Sequence, residues 1–231
     1  MERIFTGIKG FDELIPSGIP KGSQILLAGE AGTGKTIFSC QFALNKAREG
    51  FKTYYLSVEE SEKSIINNMK NFSWGKEFEM YVKDGKIIIE RIIPLSIEDI
   101  QKRVLSAYDK YKFNFFILDT LTAAAMGWRE IQDPPKLRRN IFLFLDILRQ
   151  YEITSFLLSE IEEGSGRIFK YGFEGFIVDG VIVMRRIKIG GEVLGIISVL
   201  KIRGSQKSND VFSYSITSSG IEILGATIEM K

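Results

Sequence analysis

Histidine is absent from these 231 residues, and cysteine occurs once, at Cys40. Without histidine there is no Ser–His or Cys–His nucleophilic pair, no imidazole metal ligand and no side chain that titrates near neutrality unaided. One cysteine cannot close an intramolecular disulfide, which fits a reducing compartment. No apolar run approaches the ~20 residues that span a bilayer. The opening MERIFTGIKGFDEL lacks the basic start and apolar block of a secretory signal, so the expectation is a cytoplasmic protein with no membrane contact. No charge sign dominates either: 31 Lys and Arg face 29 Asp and Glu, a net +2. Nucleic-acid binding would therefore need a local patch. Low-complexity tracts, repeats and obvious linkers are missing, and residues 1–231 read as a single domain.

What is present is an alternation of strand and helix signals. Apolar strands are expected at 24–29, 52–60, 86–93, 113–120 and 153–160. Helical periodicity falls at 36–49, 59–72, 96–111 and 136–151, with Ser96 three residues before Asp99 as in a capping box and Pro134-Pro135 ahead of the last. Such alternation implies a mainly parallel α/β sheet flanked by helices. Beyond about residue 175 the pattern becomes two strand-like runs joined at Gly190-Gly191, then shorter ones, an antiparallel C-terminal hairpin extension.

One stretch is unusually poor in side chains. Gly29-Glu30-Ala31-Gly32-Thr33-Gly34-Lys35-Thr36 joins the first of these strands to a helix and fits G-x-x-x-x-G-K-[ST]. Glycines let successive backbone N–H groups face one concavity, and the helix that follows adds its positive dipole end, so residues 29–36 and Ile37 are the expected nucleotide contacts. Lys35 can reach β- and γ-phosphates, and the Thr36 hydroxyl can ligate Mg²⁺. A nucleoside triphosphate with Mg²⁺ is the expected ligand, and the loop alone does not choose between ATP and GTP. Asp119 ends an apolar strand at the carboxyl edge where α/β ligands bind, a fitting second holder of the metal, although such an aspartate can also cap the next turn. Glu59 and Glu60 end another strand. Adjacent strand residues alternate in direction, so one of the pair faces the γ-phosphate and can orient water; which one is left open.

With these residues in place, the chain resembles the KaiC-like branch of the RecA/RadA superfamily of P-loop ATPases. The segment TGIKGFDELIPSGIPKGSQILLAGEAGTGKT is similar to that family's opening. YYLSVEES resembles its acidic-pair strand, FFILDTLTA its magnesium strand, FLLSE its sensor strand, and VIVMRR…ISVLKIRGSQ its C-terminal hairpin. The resemblance implies ATP hydrolysis in a homo-oligomeric ring, usually a hexamer, with ATP between subunits. It implies Glu59 and Glu60 as the catalytic pair, and Lys201 and Arg203 as cations reaching a neighbour's γ-phosphate. Clock members of the family carry two such domains and adjacent Ser/Thr phospho-acceptors. Residues 172–180 contain neither Ser nor Thr, so the single-domain KaiC-like proteins and RadA paralogues are nearer in form.

Rings of this type present two loops to a central hole, corresponding here to 121–135 and 160–175. The first offers Trp128 and Arg129, the second Arg167, Phe169, Lys170 and Tyr171. Cations beside aromatics suit single-stranded DNA, as in recombination or repair. Glu160, Glu162, Glu163 and Glu174 dilute that field, which leaves subunit or partner-protein contacts as the alternative for these loops. A nucleotide-dependent assembly switch that recruits a protein partner with little turnover is the second functional expectation.

Overall fold

The computed structural model describes residues 2–226. A short antiparallel pair, β1 (Arg3–Ile4) and β2 (Ile19–Pro20), precedes the main path. That path runs β3 (Gln24–Gly29), α1 (Lys35–Arg48), β4 (Thr53–Ser57), α2 (Glu62–Met69), α3 (Gly75–Lys83), β5 (Ile87–Arg91), α4 (Ile97–Tyr111) and β6 (Phe115–Asp119). It continues through α5 (Leu121–Met126), α6 (Pro134–Gln150), β7 (Thr154–Glu160) and α7 (Glu174–Ile177) to the strands β8 (Gly180–Ile189), β9 (Glu192–Ile202), β10 (Phe212–Thr217) and β11 (Gly220–Ala226).

Among the described residues, nine strands form one sheet in the order β11-β10-β9-β8-β3-β7-β6-β4-β5. From β8 to β5 every pairing is parallel, and β9, β10 and β11 add on antiparallel. The expected C-terminal extension thus continues the main sheet, with β8 both the last parallel strand and the first arm of the hairpin. The chain leaves β3 and returns three strands away in β4, and this change of direction opens a crevice at the carboxyl ends of β3, β7 and β6.

Parallel strands covered on both faces need apolar residues in both phases. Ile25 and Leu27 of β3 face one core with α1 and α3, whereas Leu26 and Ala28 face the other with α4, α5 and α6. In the first core Phe42 meets Phe156 and Phe115 with ring centroids 4.7 and 5.2 Å apart. Burying each ring contributes about 1.5–3 kcal/mol. This packing anchors α1, whose N-terminus faces the crevice.

Caps match the local sequence. Ser61 Oγ accepts from Ser64 N, Ser96 Oγ from Asp99 N and Asp133 from Lys136 N. Pro134 and Pro135, expected before the helix, occupy its first two positions, where a missing N–H costs nothing. Two expectations need correction. The strand expected at 52–60 stops at Ser57, and residues 121–126 of the expected loop are helical. Among the described residues no helix is long and apolar enough to cross a membrane.

Candidate functional site

Gly29 ends β3, and the chain turns through Glu30 to Gly34 before α1 starts at Lys35. Gly32 and Gly34 have φ of 69° and 93°, the left-handed region that glycine enters at little cost. Thr33 Oγ1 donates to the Glu30 carbonyl at 2.8 Å, closing the bend. Ile37 turns inward onto the first core. Lys35 is only 8% exposed, and its Nζ donates to the carbonyls of Gly29 (2.8 Å) and Glu30 (2.9 Å). Burial lowers its pKa, and the charges of Glu160, Asp119, Glu59 and Glu30 oppose that shift. A buried cation sharing two neutral carbonyls is poised to exchange them for phosphate oxygens.

Asp119 ends β6 beside Ser57 of β4. Its Oδ2 accepts from Thr36 Oγ1 at 3.0 Å and also from the hydroxyl of Tyr55. Burial pushes the Asp119 carboxyl up, against the donors Tyr55 and Thr36 and the Lys35 charge. A desolvated carboxylate and a hydroxyl on one oxygen-lined edge fit a hard divalent cation. Among the described residues no group of three or more Cys, Asp or Glu is arranged to hold a metal alone. Mg²⁺ does not need one, since it keeps several waters and takes one or two protein oxygens plus phosphates.

Past the end of β4, the two glutamates separate by hydrogen bonding rather than by strand alternation. Glu60 N donates to Ser57 Oγ, and Glu60 Oε2 accepts from Ser64 Oγ (2.6 Å) and Asn68 Nδ2 (2.8 Å) of α2. Glu59 stays exposed on the crevice side. Partial desolvation by the surrounding crevice wall raises its pKa first, then the charges of Glu160, Asp119 and Glu60, with Lys35 pulling the other way. Glu59 therefore shares the electrostatic neighbourhood of Lys35 and Asp119.

Four further residues at the crevice have no site role in the sequence reading. Glu160, treated above only as diluting positive charge, ends β7 directly opposite Gly29. Its signal is the one that found Asp119, an acid at the end of an apolar strand. Tyr55 is buried in β4, and nothing local distinguishes it from a core ring. Arg186 Nη2 donates to the Ala31 carbonyl at 3.1 Å, and the Tyr214 hydroxyl to the Thr33 carbonyl at 2.6 Å. Both come from strands more than 150 positions away, a distance no local motif spans.

Lys201 and Arg203 are not at this crevice. Lys201 pairs with Val181 whereas Gly29 pairs with Met184, which puts Lys201 about 10 Å down the sheet toward the opposite edge. Its Nζ donates to the carbonyls of Gly175 (2.8 Å) and Val178 (2.7 Å), and burial followed by the Arg203 charge lowers its pKa. Arg203 lies one residue beyond β9, pairing with Asp179 at 3.3 Å and donating to the Phe176 carbonyl.

The two expected loops are more ordered than open loops. Trp128 is 2% exposed and packs in the second core, so its ring offers no stacking face. The Arg129 side chain lies outside the described residues. In the second segment, Tyr171 donates to the Thr122 carbonyl at 3.3 Å and Phe169 lies against Gly175. Lys170 approaches Glu162 at 4.0 Å, and Arg167 is exposed.

A glycine-rich bend between strand and helix, with its lysine, threonine and strand-end aspartate, on a sheet of this order defines a P-loop ATPase fold of the RecA type. The profile described as ATPase: KaiC matches residues 4–228, and the chain belongs to this KaiC-like family. It is 30% identical over 239 residues to circadian clock oscillator protein KaiC 1 of Synechocystis sp., an alignment covering 98% of this chain and 45% of that protein. With circadian clock protein KaiC3 of the same organism the identity is 29%, over 97% of this chain and 46% of that one. The chain thus spans about half the length of these curated relatives. Among solved structures it is similar to a KaiC-like protein from the hyperthermophilic archaeon Pyrococcus horikoshii. The TM-score is 0.86 at 29% identity, covering 97% of this chain and 99% of that one.

Proposed function

We propose that the chain binds Mg–ATP at residues 29–36 and hydrolyses it, with each site completed by a neighbouring subunit in a ring, a hexamer by analogy with the family. The observation that carries this reading is the convergence of Lys35, Thr36, Asp119 and Glu59 on one sheet edge around a bend whose backbone is free to face a ligand.

In this scheme the N–H groups of the bend and Lys35 hold the β- and γ-phosphates of the substrate. Thr36 and Asp119 would hold the metal, which would supply charge neutralisation at the phosphate oxygens. Glu59 orients a water and takes its proton as the water oxygen bonds to the γ-phosphorus. The bond from that phosphorus to the β–γ bridging oxygen breaks, leaving ADP and phosphate. Glu60, held by Ser64 and Asn68, keeps the turn in place. Lys201 and Arg203, remote from their own crevice, offset transition-state charge in the next subunit's site.

Calorimetric ATP titration together with phosphate release tests this. Lys35→Ala is expected to lose tight ATP binding. Glu59→Gln is expected to keep binding and lose turnover by ~10²–10³-fold. Wild-type turnover in Glu59→Gln would remove the base assignment.

A second reading, an ATP-dependent assembly switch with little turnover, is favoured by one observation: Lys201 and Arg203 are both engaged by carbonyls of their own chain. ATP binding without phosphate release would select it. Single-stranded DNA is the less favoured effector, because Trp128 is buried, and stimulation of phosphate release by DNA would restore it.

A further inference from the structure

A peptide plane is rigid, and its C=O and the following N–H point in opposite directions. Whatever fixes the Thr33 carbonyl therefore aims the Gly34 N–H, and whatever fixes the Ala31 carbonyl aims the Gly32 N–H. These are the amides a phosphate must meet, and they belong to glycines with positive φ and no side chain to hold them. Two residues of the C-terminal strands hold the two carbonyls from outside, Tyr214 at 2.6 Å and Arg186 at 3.1 Å.

The approach of Tyr214 is built into its surroundings. Tyr214 lies opposite Gly195 of β9, where a methyl group would come within 2.8 Å of the ring. The ring crosses β9 only because position 195 has no side chain. Further along β10, Ile216 closes over Gly34, where a methyl group would lie 2.8 Å from its Cδ1. The Tyr214 ring is 5% exposed, and burial pushes its hydroxyl pKa up to about 12, so it stays a donor at any working pH.

We infer that Tyr214, assisted by Arg186, is a positioning residue of the phosphate loop: a latch from the C-terminal strands that presets the Gly32 and Gly34 amides for a nucleoside di- or triphosphate. The inference rests on the reading of residues 29–36 as a nucleotide site. Its chemistry requires only the phenolic hydroxyl, so Tyr214→Phe keeps the packing and removes the latch.

The test measures ADP and ATP affinity by calorimetry, kcat and KM for phosphate release, and thermal unfolding without nucleotide. For Tyr214→Phe the expected result is ~3- to 10-fold weaker ADP and ATP binding and a matching rise in KM, with kcat within about twofold and the melting temperature within a few degrees. Gly195→Ala, which keeps the hydroxyl but displaces the ring, is expected to show the same split. Wild-type ADP and ATP affinities in Tyr214→Phe would overturn the inference, as would a kcat loss with unchanged affinity. Should Tyr214→Phe fail to fold, unaltered affinities in Gly195→Ala would overturn it. Absence of nucleotide binding by the wild-type chain would instead overturn the parent reading, which separates the two failures.

Discussion

Glu59 and Glu60 are adjacent yet chemically unequal. Glu60 accepts two hydrogen bonds from α2, whereas Glu59 faces the like charges of Glu160 and Asp119. Glu60→Gln is therefore expected to keep phosphate release within about tenfold of wild type, in contrast to Glu59→Gln, because an amide can still accept from Ser64 and Asn68. A base must be deprotonated to act. With the Glu59 pKa raised above 4.5 in the unliganded chain, the acid-side fall in kcat/KM begins at a higher pH than for an ordinary glutamate, and it disappears in Glu59→Gln.

Asp119 gives a stability counterpart. Its folded-state pKa is raised by burial, so in the window above the unfolded value of 3.8 the folded chain holds more protons than the unfolded one, and stability falls as pH rises through the folded pKa. At pH 7 Asp119→Asn is expected to melt ~2–4 °C higher without nucleotide and to lose the Mg²⁺-dependent tightening of ATP binding. A lower melting temperature would contradict the view of Asp119 as a desolvated, cation-seeking group.

At the scale of elements, Trp128 carries the sharpest consequence. It packs in the second core with its neighbour α5, so Trp128→Ala is expected to destabilise the fold by ~3–5 kcal/mol in denaturant titration. An exposed stacking residue would leave stability unchanged and weaken only DNA binding.

The same segment shows what a sequence pattern can and cannot carry. The Gly-rich bend, the parallel strands and the Gly190-Gly191 hairpin were legible because turn chemistry and periodicity are local. LTAAAM has too little amphipathic contrast over six residues to announce a helix, and only the Thr120 cap, accepting from Ala123 N, marks its start. VEE continued an apolar strand by composition, but pairing ends at Ser57, and Ser64 and Asn68 decide where Glu60 points. Tyr214 and Arg186 were illegible because their importance lies in register across three strands, which the chain specifies only once folded.

On the scale of the whole molecule, the sheet separates the loop crevice from the two C-terminal cations. The crevice with Lys35, Asp119 and Glu59 lies at the carboxyl ends of the parallel strands, while Lys201 and Arg203 lie toward the other edge. In the proposed ring, Lys201 and Arg203 serve the site of a head-to-tail neighbour rather than their own, the kind of contact that closes into a ring when its rotation closes. A Lys201→Ala, Arg203→Ala double variant is then expected to bind ATP and turn over poorly.

The most direct measurement of this shared site is phosphate release by an equimolar mixture of that double variant with Glu59→Gln, after subunit exchange verified by fluorescence transfer between labelled chains. Each parent is expected to turn over poorly for a different reason. In random rings roughly a quarter of the interfaces combine an intact Glu59 with an intact Lys201 and Arg203 from the neighbour. The expected result is recovery of turnover toward that fraction of wild type. No recovery in verified mixed assemblies, or full activity in the double variant alone, would contradict the shared site.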